Sequence, residues 1–204
     1  MRTASWIVGV SLLLLSQASI TGADDKSGLD AEGFIQEWLV LAPIPFAANE
    51  SASDAFNREQ IKGEADLKPK AGDKVKVGDK GMVWQKKSTA GHLLDFNAIL
   101  GSTTEDSVAY AVTYIVSPKE RKGVKMKTGS DDQCKVYLNG KEVFKYADER
   151  PVDKDQDTTE VTLREGTNVL VAKVINAKAD WAFCVRFTGK NDQPVKNLTA
   201  KTAP

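Results

Sequence analysis

The stretch Gly129 to Val143, GSDDQCKVYLNGKEV, constrains the fold of this chain more than any other. Asn139-Gly140 is the dipeptide that best tolerates positive φ at both central positions of a type I′ turn, whose twist matches the strands it joins. Ahead of it, Cys134, Val136 and Leu138 alternate with Lys135 and Tyr137, the period-two pattern of a strand with one buried and one wetter face. A lone hairpin is marginal in water, so this one needs a sheet. The preceding Gly-Ser-Asp-Asp is a turn cluster, its carboxylates suited to accept from backbone N–H groups.

From Met82 onward the chain is a succession of short apolar runs separated by turn residues, the spacing of a sandwich. Nine strands are expected: Met82 to Lys86, Leu93 to Asn97, Ser107 to Val116, Gly123 to Thr128, Gln133 to Leu138, Lys141 to Lys145, Thr159 to Arg164, Asn168 to Asn176 and Trp181 to Phe187. Ser107 to Val116 is apolar on both faces and should be central. Phe34 to Phe46 reads as a further, opening strand. A helix is the rival reading there, but Pro43 and Pro45 would stop it early. Ser51 or Ser53 should cap a short helix running to about Gln60. Lys62 to Lys80 is polar and reads as a long surface loop, and the residues after Gly189 as a tail.

At the amino terminus Arg2 is followed by the apolar run Trp6 to Leu15 and by Thr21-Gly22-Ala23. The run is shorter than the about 20 residues that span a bilayer, so residues 1–23 read as a secretory signal peptide cleaved after Ala23, with a retained anchor as the alternative. Residues 24–33 then form a leader, and a secreted or periplasmic location follows. The 204-residue chain has 28 basic and 28 acidic side chains, interspersed, which disfavours a nucleic-acid binder. Cys134 and Cys184 fall on two expected strands. In an oxidising compartment a disulfide between them would close a loop of about 50 residues and stabilise by roughly 2–4 kcal/mol; buried free thiols are the other reading.

Read in order, Trp38-Leu-Val-Leu-Ala-Pro, Trp84, Leu94-Asp95-Phe96, Ala109-Tyr110-Ala111, the Gly129 to Val143 hairpin, Arg150, Leu163-Arg-Glu-Gly166-Thr-Asn168 and Lys173-Val174 resemble the galactose-binding-like jelly-roll β-sandwiches. The likeness is to the carbohydrate-binding-type accessory modules of secreted bacterial proteins, and it covers roughly Phe34 to Gly189. It implies an all-β, antiparallel jelly-roll-like sandwich of about nine strands with a short N-terminal helix. None of these residues is a catalytic signature, and the motif residues of such modules look largely structural, so a function taken from them is an analogy.

His92 is the single histidine, and neither cysteine sits beside it in a nucleophile motif, so zinc spacing and a catalytic dyad both lack their parts. Carboxylate pairs such as Asp131/Asp132 and Asp155/Asp157 have the chemistry a glycosidase uses, but acids are abundant here. Asp153, Asp155 and Asp157 alternate in a loop, hard oxygen ligands at a spacing that can wrap Ca²⁺, though without the EF-hand glycine and terminal glutamate. Sugar binding asks for flat apolar rings with nearby hydrogen-bonding groups. The candidates are Trp84, Tyr137, Tyr146, Arg150 and Trp181, but Trp181 shares a face with Phe183, Val185 and Phe187 and reads as core, and Trp84, in an alternating strand, has a core reading too. Tyr137 points away from Val136 and Leu138 and is expected to be an exposed platform. The sequons at Asn49 and Asn197 are taken as chance.

These features favour a non-enzymatic, exported module that binds a polysaccharide or glycoprotein, or assists a secreted polysaccharide-acting system. A cell-envelope protein-interaction or structural module without a sugar site is the alternative, and a small hydrolase built on acids the third.

Overall fold

Period-two alternation resolves into two antiparallel sheets packed face to face, an all-β sandwich. The computed structural model describes residues 27–204, so the expected signal peptide lies outside the described residues. In chain order the elements are β1 (Glu37–Pro45), α1 (Ala52–Asn57), β2 (Lys74–Val77), β3 (Lys80–Val83), β4 (Gln85–Ser88), β5 (Leu94–Asp95), α2 (Phe96–Leu100), β6 (Ser107–Ser117), β7 (Arg121–Asp131), β8 (Cys134–Leu138), β9 (Lys141–Tyr146), β10 (Asp157–Leu163), β11 (Gly166–Asn176), β12 (Ala182–Thr188) and β13 (Thr199–Lys201). The larger sheet has seven strands, ordered β4-β1-β6-β11-β8-β9, with β13 also pairing with β6; the smaller is β10-β7-β12-β5, and β2-β3 is a separate hairpin.

The hairpin read from the sequence is present: β8 and β9 pair antiparallel, and Asn139 and Gly140 have φ of 53° and 81°. A side chain at Gly140 would also collide with the carboxylate of Asp66. Between the sheets lies a continuous core of residues such as Trp38, Val40, Ile115, Val136, Leu170, Phe183 and Phe187. As expected, β6 is central, and every one of its residues from Ser107 to Ile115 is buried.

The nine expected strands and the opening one become thirteen because one run divides and because β2 and β13 form in segments read as loop and tail. Met82 to Lys86 divides between β3 and β4, and Leu93 to Asn97 becomes a two-residue strand followed by α2, capped by the Asp95 side chain accepting from Ala98 N–H. The capping serine of α1 is Ser51, in a reciprocal capping box with Asp54, and the helix ends at Asn57.

Two larger departures matter more. The segment 47–84, read in part as a surface loop, holds α1, a 3-10 turn at Glu64–Asp66 and the β2-β3 hairpin. It buries Ala55, Phe56, Ile61, Val77 and Trp84 against Leu39, Leu41, Tyr110, Val112, Tyr114, Tyr137 and Val171, a second core on the outer face of the larger sheet. The larger sheet is therefore covered on both sides. The expected C-terminal tail is anchored as well: β13 pairs with β6, Leu198 and Ala200 are buried, and Ala200 N–H donates to the Ser27 carbonyl at 2.6 Å. No helix among the described residues is long and apolar enough to cross a membrane.

Candidate functional site

The smaller sheet, like the larger, has its outer face covered by a segment from outside the sheets, here the loop 147–156. On β12, Phe183, Val185 and Phe187 point into the core, so Ala182, Cys184 and Arg186 point outward. Registers extend each across the sheet: Ala182 lies between Asp131 on β7 and Asp95 on β5, Cys184 lies opposite Gly129, and Arg186 opposite Lys127. The loop is fixed over the last two rows. Asp155 holds the Arg186 guanidinium through both carboxylate oxygens, with Lys127 3.9 Å away, while Arg150 Nη2 reaches Asp157 at 2.5 Å and Ser130 Oγ at 3.1 Å. Any side chain at Gly129 would overlap the Asp153 carbonyl oxygen, so the loop lies directly on that residue.

Beyond the loop the first row stays open. Ala182 is small, and the acids on either side of it border a cleft of about 310 Å³ lined by Leu93, Asp95, Asn97, Asp131, Pro151, Val152, Asp180, Trp181 and Ala182. Trp181 stacks on Phe96 with ring centroids 4.8 Å apart and forms an apolar wall. Its indole N–H is buried away from solvent and without an acceptor. Asn97 is fully committed to structure, donating to the Ala179 carbonyl and accepting from Thr104 N–H. Asp95 gives one oxygen to the Ala98 N–H and Asp131 accepts from the Val152 N–H, so the remaining oxygens of Asp95, Asp131 and Asp180 are the acceptors left for a ligand.

Asp131 carries most of the electrostatic interest. Burial pushes its carboxyl up to about 6, and the neighbouring charges of Asp132 and Asp180 add to the effect. Asp132, joined to it by a cis peptide bond, is likewise raised chiefly by burial, and its Oδ2 accepts from Ala177 N–H at 3.0 Å. No lysine or arginine lines the cleft.

The sequence-derived site residues lie elsewhere, and several need correction. Tyr137 does point away from Val136 and Leu138, but that second face is covered by the 47–84 segment, leaving the residue 7% exposed with its hydroxyl donating to Glu64 at 2.7 Å. Trp84 belongs to that segment and is buried against the larger sheet. Tyr146 is half-buried at the core margin, and the Arg150 guanidinium sits 3.6 Å from its ring centroid, so the two occupy each other rather than a ligand. Asp153, Asp155 and Asp157 do not converge on a cation position, because the latter two are each engaged by a different arginine. Among the described residues no group of three or more His, Cys, Asp or Glu side chains is gathered closely enough to hold a metal ion.

The disulfide is also corrected: Cys134 and Cys184 are free. Cys134 points into the core from the larger sheet, and Cys184 points outward from the smaller one beneath Asp153. Burial raises both thiols to about 12.

The reading of Asp131 as part of a turn cluster omitted Asp95 and Asp180, which reach it only through strand register and loop packing. An acidic residue beside a lone small residue at a strand start, Asp180-Trp181-Ala182, is the faint local trace of the cleft. Compared with known proteins, the chain matches no family model and no curated protein sequence.

Proposed function

We propose that this chain is an exported, non-catalytic β-sandwich module that binds carbohydrate, or serves as accessory to a secreted polysaccharide-acting system, with the Asp131 cleft as its sugar site. The observation that carries the reading is the row Asp131–Ala182–Asp95, which with Asp180 sets carboxylate acceptors around a small apolar-walled hollow. Its volume is at the lower end of the range for small-ligand sites, about 300–1,000 Å³. Sugar hydroxyls are donors that such acceptors can receive, and C–H faces suit the Trp181, Leu93 and Pro151 walls. The uncompensated negative charge disfavours uronic or sulfated glycans. The jelly-roll-like wiring and the apolar leader ahead of residue 24 agree with an exported accessory module.

The test is retention on a panel of neutral and anionic polysaccharides, followed by calorimetric titration with the oligosaccharide retained best. Asp131→Asn and Asp180→Ala should each weaken binding about tenfold or more, the loss of hydrogen bonds to charged groups, without lowering thermal stability. Retention of no glycan at all would defeat the sugar reading and leave a cell-envelope interaction or structural module. Release of reducing ends by the parent protein, lost in Asp131→Asn, would favour a hydrolase, the reading to which the raised Asp131 carboxyl belongs.

A further inference from the structure

Between residues 47 and 84 the backbone makes no backbone hydrogen bond to either main sheet: its amide–carbonyl bonds are internal, as in Trp84 N–H to Asp73 and Gly72 N–H to Trp84. What fastens it to the sheet, beyond apolar contact, is side-chain chemistry at two places. Tyr114 Oη donates to the Pro69 carbonyl at 2.6 Å. The other place is one buried carboxylate. Glu64 receives the hydroxyls of Tyr110 on β6 and Tyr137 on β8, and its Oε2 lies 3.3 Å from Lys173 Nζ on β11. Lys173, wholly buried, gives its remaining protons to the carbonyls of Phe56 and Arg58 at the end of α1, at 3.1 and 2.5 Å.

The arrangement follows from register. Tyr110, Lys173 and Lys135 stand opposite one another on β6, β11 and β8, so their side chains share the outer face, and Lys135 lies 4.6 Å from the centre of the Phe56 ring. Three neighbouring strands thus grip one helix end and one 3-10 turn. Burial pulls the Lys173 ammonium below its usual range and Glu64 opposes the shift, so each charge depends on the other.

We propose that residues 47–84 form a strap that opens as a unit while the sandwich stays folded, and that the Glu64–Lys173 pair is its latch. The strap keeps its internal capping box and hairpin when it lifts, and it leaves behind no broken ladder, because it contributes no strand to either sheet. Opening uncovers the apolar, tyrosine-bearing outer face of β1, β6 and β11.

Hydrogen exchange read by mass spectrometry on the full purified chain tests this. In the parent protein under low urea, peptides from 50–84 should exchange through an opening separate from, and more frequent than, that of β6, β7 and β11. Glu64→Gln should speed exchange in 50–84 by about tenfold or more while β7 and β12 keep parent rates. Removing both charges while keeping an amide acceptor for Tyr110 and Tyr137, Glu64→Gln with Lys173→Met, should make the strap exchange more slowly than Glu64→Gln alone, since no buried charge is then stranded. A common rate for strap and sandwich in the parent protein overturns the proposal, and needs no variant. So does a Glu64→Gln protein in which every strand speeds up together, or none does, and so does a double variant as fast as the single one.

Discussion

Both sheets have an outer face covered by a segment from outside the sheets, and the two covers treat buried charge in opposite ways. On the larger sheet, Glu64 and Lys173 are matched, and each uses its hydrogen-bonding capacity on a protein partner. On the smaller sheet, the 147–156 loop is held by its Asp155 on Arg186 and by its own Arg150 on Asp157 of β10, and it leaves the row through Ala182 open, with acidic neighbours and no cation around Asp131. A saturated cluster holds structure together, whereas an unsaturated one beside an opening is available to a ligand. The contrast is the reason we propose the ligand site at the smaller sheet, although the more deeply buried charges lie under the larger.

The harshest way to disturb the contrast is Gly129→Ala. The new methyl would drive the Asp153 carbonyl and the Cys184 thiol away, with a cost of about 1–3 kcal/mol as for other overpacked sites. Urea denaturation should show that loss, and limited proteolysis should find faster cleavage within 147–156 while any cleavage within 47–84 keeps its parent rate. Equal acceleration in both covers would mean they are one cooperative unit.

Asp131→Asn changes stability in the other direction. The folded carboxyl is raised to about 6, so the folded protein holds an extra proton at mildly acidic pH. The stability this contributes is complete below the ordinary aspartate range and is lost as pH rises through about 6. At neutral pH the parent has forfeited about 1–3 kcal/mol, the equivalent of the shift, that an uncharged asparagine would not forfeit. Denaturation at pH 4.5 and 7.5 should show the parent losing more stability across that interval than the variant. Equal losses would mean that Asp131 is not strained.

The mildest probe leaves the sequence alone. Cys184 lies under the loop and Cys134 in the core, both with thiols raised to about 12, so neither should react with iodoacetamide in the native state at neutral pH. In low urea Cys184 should label first. Simultaneous labelling would show that the loop opens only with the whole domain.

What the sequence disclosed divides along the same line. The β8-β9 hairpin was legible because Asn139-Gly140 and the flanking alternation are local. Alternation also put Tyr137 on the correct face, but it separates the two faces of a strand without telling whether the second is covered. That depends on Glu64, 73 residues away. Residues 62–80 look like loop because most of their polar side chains are exposed, and the one that anchors the segment, Glu64, meets partners remote in sequence, while the even spacing of Asp153, Asp155 and Asp157 looks like cation binding because two guanidinium groups answer it. The cleft was the least legible part, since its defining row joins one residue from each of three strands.

The bond from Ala200 N–H to the Ser27 carbonyl brings the two ends of the described chain side by side, and Gly28 lies so close to Ala200 that a side chain there would overlap its carbonyl oxygen. Topologically the sandwich is almost a ring with one seam. A short linker across that seam, with new termini opened in an exposed turn, would leave every strand pairing intact, and the whole unit could be spliced into a host loop while occupying little more room at the junction than a hairpin.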